Sequence, residues 1–176
     1  MKFHPTEVAG AFLIEPERHE DDRGFFARTY CVDELAQHGL DPKVVQRSIS
    51  YNRRRGTLRG MHFQTTPHEE NKIVSCIRGE IFDVVLDVRP GSPSYRRWVG
   101  ATLTADNHKL LFVPKGCAHG FITLTDDAVV HYEISEFHHP ESARGVRYDD
   151  PAFGISWPLA PVVVHQRDLA YPPHHG

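Results

Sequence analysis

Glycine and proline interrupt this chain too often for long helices to form. There are 13 of each, spread along 176 residues, with short apolar runs between them. From Lys72 onward those runs read as strands. Lys72–Ile77 is followed by the turn pair Arg78-Gly79. Glu80–Val88 is rich in Val, Ile and Phe and ends at Pro90-Gly91. Trp98–Leu103, Lys109–Val113, Gly120–Leu124 and Ala128–Ser135 follow. A repeat of about ten residues with turn signals between is that of an antiparallel sandwich or barrel. One short helix is expected over Val32–His38, with Gly39 placed to end it. The first 30 residues read as extended pieces around a turn at Glu20-Asp21-Asp22-Arg23-Gly24. The tail after Asp149-Asp150-Pro151 is irregular, but Ile155–Pro158 and Val162–Val164 are able to pack on the body. No repeat, linker or boundary divides the chain, so residues 1–176 read as one all-β domain with a few short helices.

Charge and cysteine content narrow the function classes. The formal net charge is −3, which argues against a strongly basic nucleic-acid binder. No apolar run reaches the roughly 18–20 residues of a membrane span. The opening MKFHPTEVAG lacks the apolar stretch of a signal peptide. Cys31, Cys76 and Cys117 are odd in number and widely spaced, which argues against a disulfide framework or zinc ribbon. A reducing cytoplasm is the expected location.

Thirteen histidines call for sorting, and His62, His68 and His119 are the informative ones. On a strand over Leu58–Gln64, Arg59, Met61 and Phe63 take one face. Leu58, Gly60, His62 and Gln64 take the other, unless a glycine bulge re-aims either set. Lys72 opens a strand that reads as buried, and lysines are rarely buried without a partner or a task. Asp83 and Asp87 lie four apart on one face among apolar neighbours. A carboxylate there needs a partner, and Lys72 or an arginine could serve. Tyr132 stands near the end of its strand, where a phenol can act as a general acid. Taken singly, each has an ordinary structural explanation: a satisfied histidine, a solvent-reaching lysine, an ion pair, a tyrosine half in the core.

Pro114-Lys115-Gly116-Cys117-Ala118-His119 has the Pro-x-Gly-x-x-His spacing of the second cupin signature. With it come Asp22-Arg23-Gly24-Phe25-Phe26, Gly56–Gln64, Lys72-Ile73-Val74, Phe82-Asp83-Val84 and Asp87–Pro93. Tyr132, Asp149-Asp150-Pro151, Ile155–Pro158 and Arg167-Asp168 complete the series. In this order, along nearly the whole chain, they resemble the sugar-nucleotide epimerases typified by dTDP-4-dehydrorhamnose 3,5-epimerase. The resemblance implies a cupin-type double-stranded β-helix, or jelly roll, and a homodimer. It implies a nucleotide-sugar substrate and no metal or other cofactor. His62 would be the base, Asp168 its orienting acid, Tyr132 the proton donor and Lys72 the support for an enolate oxygen. Arg59 and His119 would line the site, and Arg23 would meet the nucleotide's phosphates. Gln46, Ser48, His138, Arg167 and Asp83 fall at further substrate-binding positions.

The resemblance is not uniform. The family's Gln-x-Asn reads Gln46-Arg47-Ser48 here, and Arg28 and Ala143 replace family glutamates. His138 replaces a stacking tyrosine, and Arg167 a lysine. The proton-transfer set is intact while the nucleotide set departs, which leaves the nucleotide and the number of centres inverted open. Two other classes fit the same fold. A metal-dependent cupin would draw on His62, His68, Glu69 or Glu70, and His119. Its expected His-x-His reads His62-Phe63-Gln64, one ligand short. A non-catalytic sugar-nucleotide binder would not need an acid and a base together.

Overall fold

Alternating side chains and frequent turns produce two antiparallel sheets facing one another. The computed structural model describes residues 1–174. The first elements are β1 (Lys2–Pro5), β2 (Phe12–Glu15), β3 (Arg18–Asp21), β4 (Gly24–Ala27) and the helix α1 (Val32–Gln37). The body strands are β5 (Gln46–Asn52), β6 (Thr57–Gln64), β7 (Lys72–Arg78), β8 (Glu80–Asp87) and β9 (Trp98–Thr104). They continue through β10 (Leu110–Val113), β11 (Cys117–Thr123), β12 (Ala128–Ile134), β13 (Ala143–Gly145) and β14 (Val163–Val164), and α2 (Gln166–Leu169) follows.

One sheet runs β1-β2-β10-β7-β12-β5 and the other β13-β6-β11-β8-β9. From β5 to β13 the chain crosses from one sheet to the other at every connection but the β8–β9 hairpin, as in a jelly roll. β14 pairs in parallel with β6, and β3 and β4 form a separate hairpin. The expected strands after Lys72 are all present, with ends shifted by up to three residues. The expected helix ends one residue early, at Gln37, and Gly39 follows with φ +70°. No helix among the described residues is long and apolar enough to cross a membrane.

The inner faces meet in a core of Val74, Cys76, Leu111 and Val130 against Ile81, Val85, Leu103 and Phe121. Each such side chain, fully buried, contributes about 1.5–3 kcal/mol. The outer face of the first sheet is covered by Leu35 of α1 and by Leu40, packed on Ile14, Ile73 and Phe112. The outer face of the second is covered by the tail, where Phe153, Ile155 and Trp157 pack against Val84, Leu86 and Met61. β8 is thus covered on both faces. Its two aspartates share the inner face with Ile81 and Val85, so both are fully buried.

Candidate active site

Where the apolar core gives way, the two sheets enclose a cavity of about 800 Å³. β6 supplies Arg59 and His62, β11 supplies His119, and α2 supplies Arg167 and Asp168. The opposite sheet supplies Ser48 and Ser50 from β5, Lys72 from β7 and Tyr132 from β12. A smaller adjoining cavity of about 230 Å³ is lined by Gln46 and His138, and shares His62, Lys72 and Arg167 with the first.

Simple alternation fails at the centre of β6. Arg59 and His62 are three residues apart yet line the same cavity. The ladder to β11 explains this. His119 pairs with His62, but Phe121 pairs with Arg59, so β6 carries one residue more than its partner. The bulge falls at Gly60, whose φ of +127° suits glycine. It returns Arg59 to the side that His62 occupies and leaves Met61 fully buried on the far face.

His62 donates from Nε2 to Asp168 Oδ1 at 2.7 Å. The carboxylate can only accept, so the ring proton lies on Nε2 and the lone pair on Nδ1. Asp168 Oδ2 accepts the Gly60 N–H at 3.2 Å. Burial acts to raise the Asp168 carboxyl. The hydrogen bond and charge of His62, the Gly60 N–H and the Arg167 charge outweigh it and hold the group below the usual carboxylate range. Arg167 lies alongside, with Nη2 3.4 Å from His62 Nε2 and Nε 3.6 Å from Asp168 Oδ1.

Tyr132 reaches in from the other sheet, its hydroxyl 3.3 Å from Ser50 Oγ. Burial raises its pKa, so the phenol holds its proton at neutral pH. Its ring meets the His119 ring edge-on with centroids 6.2 Å apart. Lys72 is largely buried and pairs with Glu70 Oε1 at 3.0 Å. Arg59 Nε donates to Asn52 Oδ1 at 2.7 Å.

The expected partner of Asp83 needs correcting. His119 Nε2 contacts Asp83 Oδ1 at 2.7 Å, so a histidine and not Lys72 or an arginine answers the carboxylate. The other oxygen, Oδ2, is buried with no hydrogen-bond partner. Burial drives the Asp83 pKa upward against the pull of His119 and Lys72. Asp83 lies behind His119 and lines neither cavity. Asp87 does meet an arginine, Arg89, at 2.8 Å.

Arg23 is not brought to either cavity. It stands at the β3–β4 turn, 89% exposed, and pairs with Asp21 two residues before it. The donor set of a metal-dependent cupin does not assemble either. His62, His119 and Glu70 each answer a different partner, Asp168, Asp83 and Lys72. Among the described residues, the donor side chains that converge in a group of three are His68, His139 and Glu141.

Ser50, Asn52 and Tyr171 were not expected, and Glu70 was expected only as a metal donor, not as the partner of Lys72. Tyr171 faces His62 edge-on at 6.2 Å. The signal for the first two was present, since Gln46, Ser48, Ser50 and Asn52 alternate along one strand face.

The family model described as dTDP-4-dehydrorhamnose 3,5-epimerase matches residues 5–175. The chain belongs to that family. The family's enzyme from Methanothermobacter thermautotrophicus is 41% identical, over 98% of this chain and 94% of the relative. The crystal structure of dTDP-4-dehydrorhamnose 3,5-epimerase from Bacillus anthracis, with TDP and PPi bound, superposes with a TM-score of 0.93. Its identity is 38%, and the match covers 98% of this chain and 99% of that one. ChmJ, a 3'-monoepimerase from Streptomyces bikiniensis solved with dTDP-quinovose, gives a TM-score of 0.88 at 34% identity. That match covers 97% of this chain and 86% of ChmJ. The epimerase family therefore includes enzymes that act at one centre on nearly the same frame.

Proposed function

We propose that this epimerase-family chain inverts C3, C5 or both in a nucleotide-linked 4-keto-6-deoxyhexose, for deoxysugar biosynthesis, without a metal. One observation carries the reading: His62, held by buried Asp168, and Tyr132 line one cavity from opposite sheets. A base on one side and a proton donor on the other is what inversion at carbon needs.

The 4-keto group makes the adjacent C–H bonds acidic. A carbon acid of this kind is still about ten pKa units weaker than an imidazolium. That gap is on the order of 14 kcal/mol. His62 Nδ1 takes the proton and Asp168 stabilises the imidazolium that forms. Lys72 answers the oxygen where negative charge develops and lowers the barrier further. Tyr132 then delivers a proton to the opposite face of the enolate carbon. Arg59 supplies a guanidinium for anionic groups of the substrate. His119, steadied by Asp83, walls the sugar site.

Gln46, Ser48 and His138 place the nucleotide at the smaller cavity and the adjoining sheet edge. Arg23 reaches phosphate only if a second copy brings its hairpin to this cavity. Exposed Phe25 and Phe26 on that hairpin and Ile49 and Ile77 on the first sheet support a homodimer. Cys31, Cys76 and Cys117 are free thiols, which fits a reducing cytoplasm.

The test is incubation with 4-keto-6-deoxyglucose on dTDP and on other nucleoside diphosphates in deuterated water, followed by NMR. Deuterium at C3 and C5 with inversion supports the double epimerase, and at one carbon a monoepimerase like ChmJ. Tight binding without deuterium uptake would leave only a binding protein.

A further inference from the structure

The geometry points to a second site, outside the catalytic cavity: His68, His139 and Glu141 bind a divalent ion of the zinc class. Two loops meet here, one between β6 and β7 and one between β12 and β13. His139 Nδ1 lies 3.1 Å from Glu141 Oε1, and His68 Nε2 lies 3.9 Å from the same oxygen. All three ligand atoms fall within 4.8 Å of one another. The two imidazoles stack with centroids 3.4 Å apart and planes 9° from parallel.

Two imidazoles and a carboxylate are a donor set that suits zinc, nickel or copper(II) better than magnesium or calcium. Metal–ligand bonds of about 2.0–2.2 Å in a tetrahedron put ligand atoms about 3.4 Å apart. The widest pair must close from 4.8 Å or less to that value, and the stacked rings must turn out of parallel so that both in-plane lone pairs meet the ion. Glu141 is 66% exposed and free to swing, while the histidines are about 30% exposed and open an edge to solvent. Three protein donors leave a fourth position for water, as in an open zinc site.

The backbone around the group is fixed in advance. Buried Gln64 donates from Nε2 to the carbonyls of His68 at 2.8 Å and Phe137 at 3.0 Å. Its Oε1 accepts the His139 N–H at 2.6 Å. One amide thus ties both histidine-bearing loops together. The Thr65 N–H donates to the Ser142 carbonyl at 2.9 Å and closes the junction from the other side. A site organised before the ion arrives loses less conformational entropy on binding. None of the three ligands lines either cavity, so the ion stands apart from the reacting sugar.

Zinc titration of the full-length, chelator-stripped protein by calorimetry tests this, with cobalt(II) absorption as the spectroscopic readout. One equivalent of zinc is expected to bind. His68→Asn and His139→Asn should each weaken it by at least about tenfold, the lower bound for disturbing a metal site. The double variant should lose the tetrahedral cobalt bands, and His62→Asn should keep them. Melting curves confirm that each variant is folded. Saturable binding retained in the double variant, or no one-equivalent uptake by the parent protein, overturns the assignment.

Discussion

Gly60 and Gly120 face one another across β6 and β11 at a separation that no larger residue would allow. A Cβ on Gly60 would lie 2.5 Å from Gly120 Cα and 2.8 Å from the His119 carbonyl. A Cβ on Gly120 would lie 2.7 Å from Met61 Sδ and 2.8 Å from the Arg59 carbonyl. The contact lies at the bulge that turns Arg59 and His62 to the same side, and the Gly60 N–H also holds Asp168. Gly60→Ala should therefore cost stability, by about 2–3 kcal/mol from backbone strain and overpacking, and should misplace His62. Urea unfolding and deuterium exchange on the same sample check both parts. An unchanged unfolding midpoint would contradict the packing argument.

Asp168→Asn should leave the fold intact and lower turnover by about 10²–10⁴-fold. An amide can turn its NH2 toward His62 and stabilise the wrong tautomer, as in hydrolase triads. Substrate affinity should change far less. Steady-state kinetics separate the two, and an equal loss in both would point to a structural defect.

Tyr132→Phe removes the proposed proton donor and leaves His62, the proposed base, in place. Exchange of the acidic proton with deuterated water should persist while inversion falls. Comparing deuterium uptake with product formation by NMR reads the difference. Parallel loss of both would assign proton abstraction to Tyr132 as well.

Lys72→Met should reduce turnover by about 10²–10³-fold, the usual effect of removing a donor aimed at a developing oxyanion. The variant leaves Glu70 nearly buried and unpaired. The double variant Lys72→Met/Glu70→Gln should recover stability without recovering activity, as seen by melting temperature and kinetics together.

Asp87 links stability to acid. Burial acts to raise its pKa, but hydrogen bonds from Arg89, Ser92 and Ser94 outweigh it and hold the carboxyl at about 2. A group depressed on folding stabilises the native state above its unfolded pKa, near about 3.9. That contribution, about 2 kcal/mol, is lost as pH falls from about 4 through about 2. Asp87→Asn should remove it at neutral pH and flatten the acid limb over the same interval. Urea unfolding at pH 7 and at low pH checks the sign.

Much of this architecture can be read from the residues, and the gaps have physical causes. Val, Ile and Phe between turn pairs locate β7 through β12 within a few residues. β5 is not apparent because its alternation is reversed. Polar Gln46, Ser48, Ser50 and Asn52 share one face, while Ile49 on the opposite face is 66% exposed. β11 begins three residues before its expected start at Gly120 because the Pro114–His119 stretch reads as a turn. The polar set of the cavity is recognisable as residue types, but its pairings are not. His119 with Asp83 and Lys72 with Glu70 depend on which strands become neighbours. The displaced alternation in β6 requires the partner strand to be seen, since a bulge is a property of the ladder.

The carboxylate that orients His62 lies 106 residues further along the chain, on a short helix beyond β14. A ribosome has therefore made nearly the entire jelly roll before the imidazole acquires its fixed tautomer. Unfinished or clipped polypeptides that lose this segment retain the sequence of every strand and still lack the carboxylate that aligns this imidazole.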